Sequence, residues 1–197
     1  MALLAAVTLA WPARRGGWGA VPAMIVVALA LAIPGPLVGS SLISLFNRSL
    51  FPGRYDPLLY IYDHTPLVVM LAQAIHALPL ATLIAWHSFR TLSDDVLAAA
   101  ALDGASPRQV LWRIALPQRR AALAGAWLAA YAIAAGDLAW AHLVHPAGMD
   151  LIQRRVFGLV HSGVEEQVAA ISLVNVIAYA LLAALILWLL RPRPTYT

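Results

Sequence analysis

Three residues that could do acid–base chemistry fall inside long apolar runs: His76, Asp137 and His142. A carboxyl group and an imidazole can exchange a proton only within hydrogen-bond reach of each other. Asp137 and His142 are five positions apart, which places them roughly 140° apart around a helix, so they do not face each other. A buried acid in an apolar run is costly, and Asp137 is therefore a functional candidate. It would either line a pathway or form hydrogen bonds between helices, and His76 is expected to be packed and hydrogen-bonded.

Other reactive groups are scarce. His64, His145 and His161 lie in separate segments, and this spacing does not show the convergence that a metal site needs, so no metal is expected. The chain has no Cys, which excludes a thiolate nucleophile, and no G-x-x-x-x-G-K-[ST] loop that could hold a nucleotide. We therefore predict no cofactor and no catalytic residue. An intramembrane enzyme that uses Asp137 with His76 or His142 is the alternative from another functional class.

The composition places these residues in a membrane protein. Of 197 residues 62% are hydrophobic and only 11% are charged, with a mean hydropathy of +0.78. A soluble chain carries roughly 25% charged residues. The net charge is +4, and all thirteen basic residues are Arg. They are spread in short groups between apolar runs instead of forming one basic face, so nucleic-acid binding is not expected.

Four apolar runs are each long enough to cross a bilayer, which takes about 20 helical residues. We predict an all-α, polytopic membrane helical bundle in a single domain, residues 1–197. The predicted spans are 21–43, 65–86, 121–144 and 167–190, preceded by a short apolar stub at residues 1–11. Pro34 and Gly35 interrupt the first span, where a kink or break is expected that either serves packing or lines a pathway. Pro79 raises the same question in the second span.

The distribution of Arg predicts the orientation of the spans. Alternate connections hold nine Arg on one side and four on the other, and the richer side of a membrane protein is normally cytoplasmic. The C-terminus is therefore expected in the cytoplasm. The segment 93–117 lies on the same side, whereas the loops 44–64 and 145–166 face outward.

Segment 93–117 has the signals of two short helices that meet at a corner. Ser93 is a suitable N-cap for the first helix, and Gly104 is a suitable left-handed stop. Ser106 and Gln109 form a capping-box pattern at the start of the second helix, with Pro107 at its first position. Pro117 is expected to end that helix and to bias Leu116 away from helical backbone. This segment, which we call the elbow, is too short to span a bilayer, and its corner is suited to binding by a soluble partner.

The elbow resembles the coupling loop of type I ABC importer permeases. That signature reads E-A-A-x-x-x-G, nine residues, then I-x-L-P, and here A-A-A-A-L-D-G is followed after nine residues by I-A-L-P. Ala98 stands where the family usually has Glu, which puts the strength of coupling in doubt. By resemblance, the residues that bind the ATPase are Ala98, Ala99, Ala100, Asp103, Gly104, Ala105, Ile114, Leu116 and Pro117. The pathway or gate candidates are Pro34, Gly35 and Asp137.

Further similarity extends from residue 22 to 190 and is strongest to ferric-iron and thiamine permeases, with "ALAIPGPLVG", "GDL" and "HSG" among the shared features. The resemblance implies a subunit of the bacterial inner membrane that forms half of a translocation pathway, with ferric iron as one substrate and thiamine, polyamine or sulfate as others. It implies four partners: a separate ATPase, a second permease unit, which is another chain or a fused half, a periplasmic or lipid-anchored binding protein, and the lipid bilayer. With four spans and a stub, the chain is expected to be a C-terminal unit or to be truncated at its N-terminus. A non-transporting remnant is the remaining alternative.

Overall fold

The computed structural model describes residues 1–48, 56–137, 143–146, 152–163 and 165–189. No strand occurs in these residues, and the predicted all-α class is confirmed. His142, most of the predicted third span beyond Asp137 and the C-terminal residues from 190 lie outside the described residues. The helices are α1 (Ala2–Ala13), α2 (Val21–Ala32), α3 (Gly35–Phe46), α4 (Pro57–His64), α5 (Leu67–Arg90), α6 (Asp94–Leu102), α7 (Pro107–Val110), α8 (Leu116–Gln118), α9 (Arg120–Gly136), α10 (Ile152–His161) and α11 (Glu165–Leu189).

α5 is the central helix of the bundle. Its 24 residues extend for about 36 Å and pack against α1, α2 and α9. Small residues allow these neighbours to approach closely, since Ala72, Ala77, Ala81 and Ala85 are all buried. Pro79 lies inside α5 without ending it, so the break considered at this position does not occur. The predicted second span is confirmed in a helix that begins two residues later and ends four residues later.

The N-terminal stub forms a short helix, α1, that packs along α5. Ala6 is fully buried and joins a cluster with Ala77 and Ala81 of α5 and Ala130 of α9. Ala10 and Trp11 join a second cluster nearer the end of α1. The stub is therefore an integral part of the bundle core.

The predicted first span, 21–43, is not one continuous helix. α2 and α3 are bent by 99° at Ile33 and Pro34. Ile33 has extended backbone, with ψ of 121°, because the ring of Pro34 disfavours helical backbone in the residue before it. Pro34 itself also has extended backbone, with ψ of 138°. Pro36 then occupies the first turn of α3, where its missing N–H is not needed. Together the two segments form one broken span or a re-entrant loop.

Of the last two predicted spans, the fourth is confirmed and the third is shorter than predicted. α11, with 25 residues, confirms the fourth span and begins at Glu165. α9 is shorter than the predicted 121–144, because the helix ends at Gly136 and Asp137 has extended backbone with ψ of 95°. Of the described helices, α5 and α11 are each long and apolar enough to cross a membrane alone, and the bent pair α2–α3 makes a third crossing if it is counted as one span.

Candidate functional site: a helical elbow and an intramembrane acid

The corner of the elbow is a Schellman motif centred on Gly104. The N–H of Gly104 donates to the carbonyl of Ala101 at 3.1 Å, and the N–H of Ala105 donates to that of Ala100 at 3.0 Å. These two bonds satisfy the last carbonyls of α6 and require positive φ at Gly104, which is +70°. The predicted stop at Gly104 is confirmed, and the first helix starts after Ser93 as expected, although the Ser93 side chain makes no capping bond.

The second elbow helix begins with the predicted capping box. The Gln109 N–H donates to Ser106 Oγ at 3.4 Å, and the Ser106 N–H donates to Gln109 Oε1 at 2.7 Å. Pro107 occupies the first helical position. Because the backbone groups on both sides of the corner are hydrogen-bonded, local hydrogen bonds fix the direction of α7 relative to α6.

The prediction that Pro117 ends the second helix is wrong. Residues Leu111–Ala115 form a π-helical turn, and the Leu116 N–H donates to the carbonyl of Leu111. The wider turn moves the preceding carbonyls away from the ring of Pro117, which would clash with the carbonyl four residues back in an α-helix. Leu116 consequently keeps helical backbone, with φ of −62° and ψ of −48°. Helical structure continues to Gln118, and α9 starts at Arg120.

One face of the elbow is buried against the ends of α1 and α5. Ala100, Val110 and Ala115 are at most 7% exposed and cluster with Trp11 and Phe89. Trp11 and Phe89 meet edge to face, with their ring centroids 5.5 Å apart. The Arg119 guanidinium also donates to the Thr91 carbonyl, which joins the end of α8 to the end of α5. The elbow is therefore anchored to the central helix at two places.

The residues assigned to partner binding divide between the two faces of the elbow. Ala100 is buried in the cluster just described, and Ala105, Ile114 and Leu116 are half-buried against it. The exposed ones are Ala98, Ala99, Asp103, Gly104 and Pro117. The motif thus contains residues that hold the elbow on the bundle as well as residues that a partner can reach.

The exposure of two large apolar side chains on the solvent-facing side of the elbow was not predicted from the sequence. Leu102 is 90% exposed and Trp112 is 67% exposed. Trp112 lies off the apolar face formed by Val110, Leu111 and Ile114, and an aromatic residue on the polar side of a short helix was the signal available. Tryptophan is enriched at the centres of protein interfaces, so Trp112 is the strongest docking candidate on the elbow, and Leu102 is a second exposed apolar side chain there.

The intramembrane acid is in contact with one of the histidines. Asp137 Oδ2 lies 2.5 Å from His76 Nδ1, and the side chains are 11% and 41% exposed. Gln73 Nε2 donates to the Ala134 carbonyl at 3.3 Å, so a second polar contact joins α5 and α9 beside the first. Pro34 and Gly35 lie at the 99° bend between α2 and α3.

Two of the three loop histidines, His64 and His161, are engaged within their own helices. His64 stacks on Tyr60, with ring centroids 4.4 Å apart, and its Nδ1 lies 3.2 Å from the Tyr60 carbonyl. His161 Nδ1 lies 2.9 Å from the Phe157 carbonyl. No group of three or more metal-ligating side chains converges anywhere in the described ranges.

Comparison with known proteins identifies the family. A family model described as the inner-membrane component of binding-protein-dependent transport systems matches residues 2–191. The chain belongs to this family. A relative, the spermidine/putrescine transport system permease protein PotC of Haemophilus influenzae, is 27% identical over 109 residues. That match covers 55% of this chain and 42% of the relative, so the chain spans less than half the length of this relative.

Family membership confirms the resemblance to ABC importer permeases that the elbow suggested. The family is described as an inner-membrane component of transport systems, and this membership does not support the intramembrane-enzyme alternative. The narrower resemblance to ferric-iron and thiamine permeases is not confirmed by these comparisons.

Proposed function

We propose that the chain is the permease unit of an ATP-driven importer and that its elbow is the surface on which a separate ATPase docks. The observation that carries this proposal is the elbow itself: a rigid corner, fixed by the Schellman motif at Gly104, that exposes Leu102 and Trp112. A flexible loop would deform when a partner moved against it, whereas a capped corner anchored on α5 would transmit that movement to α5.

α5 gives a physical route from the elbow to the pathway. Its final turns carry Phe89 and Ala85, which pack against the elbow, and His76 lies further along the same helix. His76 and Arg90 are fourteen residues apart, or about 21 Å. Movement of the elbow would move α5 as a body and alter the contact between His76 and Asp137. This is the two-state coupling that alternating access requires.

The orientation of this arrangement follows from the Arg distribution. Arg14, Arg15 and Arg90 flank the elbow at the ends of α1 and α5. With the four Arg of the elbow region and two near the C-terminus, this side holds nine Arg against four on the other. The positive-inside rule then places the elbow and the C-terminus in the cytoplasm.

Three further partners complete the proposed importer. α11 exposes a long apolar surface, with Leu173, Val174, Leu181 and Leu187 each more than 60% exposed. In a membrane such a surface is covered by lipid or by a neighbouring helix, and we assign it to the bilayer and a second permease unit. A substrate-binding protein would deliver its cargo to the opposite side, where α4 and α10 lie.

We propose a cationic substrate. Asp137, the acid in contact with His76 between α5 and α9, favours a positive charge in the pathway and disfavours an anion such as sulfate. The sequence resemblance puts ferric iron first among cations. The relative named for spermidine and putrescine favours an organic polyamine, and a competition between the two for uptake would separate them.

Co-purification with a candidate ABC-type ATPase from the same genome tests the docking proposal. We expect the ATPase to be retained by the unchanged chain in mild detergent and to be lost with Trp112→Ala or Gly104→Pro. Trp18→Ala is the matched control, because Trp18 is 91% exposed but lies outside the elbow. Retention of the ATPase by a stably inserted Trp112→Ala, Gly104→Pro double variant would contradict docking at the elbow. Failure of the unchanged chain to retain it would favour the non-transporting remnant.

A further inference from the structure

A basic cleft lies between the elbow and the ends of the two helices that anchor it. Its volume is about 550 Å³, and its charged lining residues are Arg14, Arg15, Arg90 and Asp94. Arg14 and Arg15 directly follow α1, and Arg90 is the last residue of α5. Three arginines from two membrane helix ends and one aspartate therefore line the same space. We call this space the elbow cleft.

Two of these guanidiniums are held in place by tryptophans. Arg14 lies 3.4 Å from the centre of the Trp11 ring, and its Nη1 donates to the Trp11 carbonyl at 2.8 Å. Arg90 lies 5.9 Å from the centre of the Trp86 ring. Trp86 Nε1 in turn donates to the Ala13 carbonyl at 2.9 Å, which ties the end of α1 to α5. Arg14 is thus positioned before any ligand arrives, which lowers the entropy lost on binding.

Positive charge exceeds negative charge in the cleft, because Asp94 balances only one of the three arginines. None of its three arginines forms an ion pair with a carboxylate of the described residues. Burial, and secondly the positive charge of Arg15, lower the pKa of Arg14. An anion in the cleft would relieve this repulsion, and guanidinium groups match the geometry of phosphate oxygens.

An apolar groove adjoins the cleft and shares Arg90 with it. The groove has a volume of about 500 Å³ and is lined by Leu83, Trp86, His87, Arg90 and Thr91. Leu83 is 42% exposed and lies two helical turns from Arg90, or about 10 Å toward the middle of α5. A ligand that fits both spaces has an anionic head and an apolar tail, and it reaches them at the membrane surface.

We propose that the elbow cleft binds the phosphate group of an anionic phospholipid, with an acyl chain of that lipid in the groove beside Leu83 and Trp86. Such a lipid would contact α1, α5 and the elbow together, and would stiffen the joint between them. A free phosphate ion shares the head-group chemistry but would leave the groove empty. Ala98 and Ala105 of the ATPase-binding motif also line the cleft, so the lipid would lie next to the surface that exposes Leu102 and Trp112, and its binding can be measured without the ATPase.

The test is native mass spectrometry of the full chain in a neutral detergent, titrated with phosphatidylglycerol or with phosphatidylcholine. We expect one tightly retained phosphatidylglycerol and no comparable phosphatidylcholine. Each arginine near a membrane surface contributes about fivefold to the binding of an anionic lipid, so Arg15→Gln with Arg90→Gln should weaken retention about 25-fold. Arg108→Gln with Arg113→Gln is the matched control, since it removes the same charge from exposed elbow positions outside the cleft.

Other results would overturn the proposal. Equal retention of both lipids, or unchanged retention by the Arg15 and Arg90 double variant, would exclude this site. If inorganic phosphate binds the cleft and phosphatidylglycerol does not displace it, the ligand is a free anion. If the double variant keeps the lipid but loses the ATPase, the arginines belong to a protein interface. Arg15→Lys with Arg90→Lys guards against misfolding, because it keeps the charge and should retain the lipid within a few-fold of the unchanged chain.

Discussion

His76 Nδ1 in α5 lies 2.5 Å from Asp137 Oδ2, at the end of α9. Beside it, Gln73 Nε2 of α5 donates to the Ala134 carbonyl of α9 at 3.3 Å. Two polar contacts therefore join the same two helices within an apolar bundle. The C-terminal end of α5 also anchors the elbow, through Ala85 and Phe89, so the same helix contacts both the elbow and Asp137.

Replacing Asp137 with Asn should separate function from stability. Asparagine keeps the shape and the hydrogen-bonding capacity of aspartate but removes the charge. Polar contacts between membrane helices contribute about 0.6 kcal/mol on average, so thermal unfolding in detergent should change little. We expect uptake of the cationic substrate by cells carrying the whole importer to fall about tenfold or more, as expected for loss of a charged contact in the pathway.

The control for this prediction is Gln73→Ala, which removes the neighbouring contact without changing charge. Its effect on uptake should be small. Equal uptake by the Asp137→Asn variant and the unchanged chain would show that the acid has only a packing role. A large loss of thermal stability would lead to the same conclusion.

Gly104→Ala should weaken the elbow through backbone strain alone. The φ of Gly104 is +70°, and a Cβ there would meet no atom within 4 Å. A left-handed conformation costs a non-glycine residue about 1–2 kcal/mol, and no steric term adds to it. We expect faster hydrogen exchange of the amides at positions 104 and 105 and a several-fold weaker association with the ATPase.

Gly125→Ala is the matched control. Gly125 lies within α9, and a Cβ there also meets nothing within 4 Å, but its backbone is helical. Alanine should therefore stabilise α9 by up to about 1 kcal/mol. If the two variants behaved alike, strain at the corner would not be the cause.

The features that the sequence predicted best are those decided by neighbouring residues. Gly104 ends α6, and Ser106 and Gln109 cap α7, because each requirement is met within a few positions of the chain. Pro34 predicted a break in the first span for the same reason. The fold class followed from composition and from the length of the apolar runs, and these do not depend on contacts between helices.

The features that the sequence did not predict depend on packing between distant segments. The π-helical turn that accommodates Pro117 lies in an elbow that packs on Trp11 and Phe89, and this packing stabilises the turn. The direction of the 99° bend at Pro34 depends on what α3 packs against. The exposure of Leu102 and Trp112 depends on which face of the elbow α1 and α5 cover. The hydrophobicity of these two residues alone does not predict that they lie on the surface.

Gly39 allows α3 to approach the segment 143–146. A Cβ at Gly39 would lie 2.6 Å from Leu143 Cδ2 and 3.1 Å from Val144 Cγ2. Leu143 is 40% exposed and can rotate, so Gly39→Ala should be tolerated. Gly39→Val should destabilise the folded protein by about 1–3 kcal/mol, because Val144 is fully buried and cannot move. Thermal unfolding of the two variants in detergent checks this, and a valine variant as stable as the alanine variant would contradict the close approach.

Pro117→Ala should stabilise the elbow and yet impair its function. Alanine restores the N–H at position 117, which can then donate to the carbonyl of Arg113 and convert the π-helical turn to regular α-helix. Proline inside a helix costs about 3 kcal/mol relative to alanine, and the wider turn already offsets part of this. Hydrogen exchange across residues 113–118 should therefore become slower. The direction of Trp112 relative to α9 changes when the turn narrows, so association with the ATPase should weaken.

Pro107→Ala makes the same substitution at the first position of α7, where proline is well tolerated, and should change neither measurement appreciably. Slower exchange without weaker association would show that the direction of Trp112 does not matter for docking.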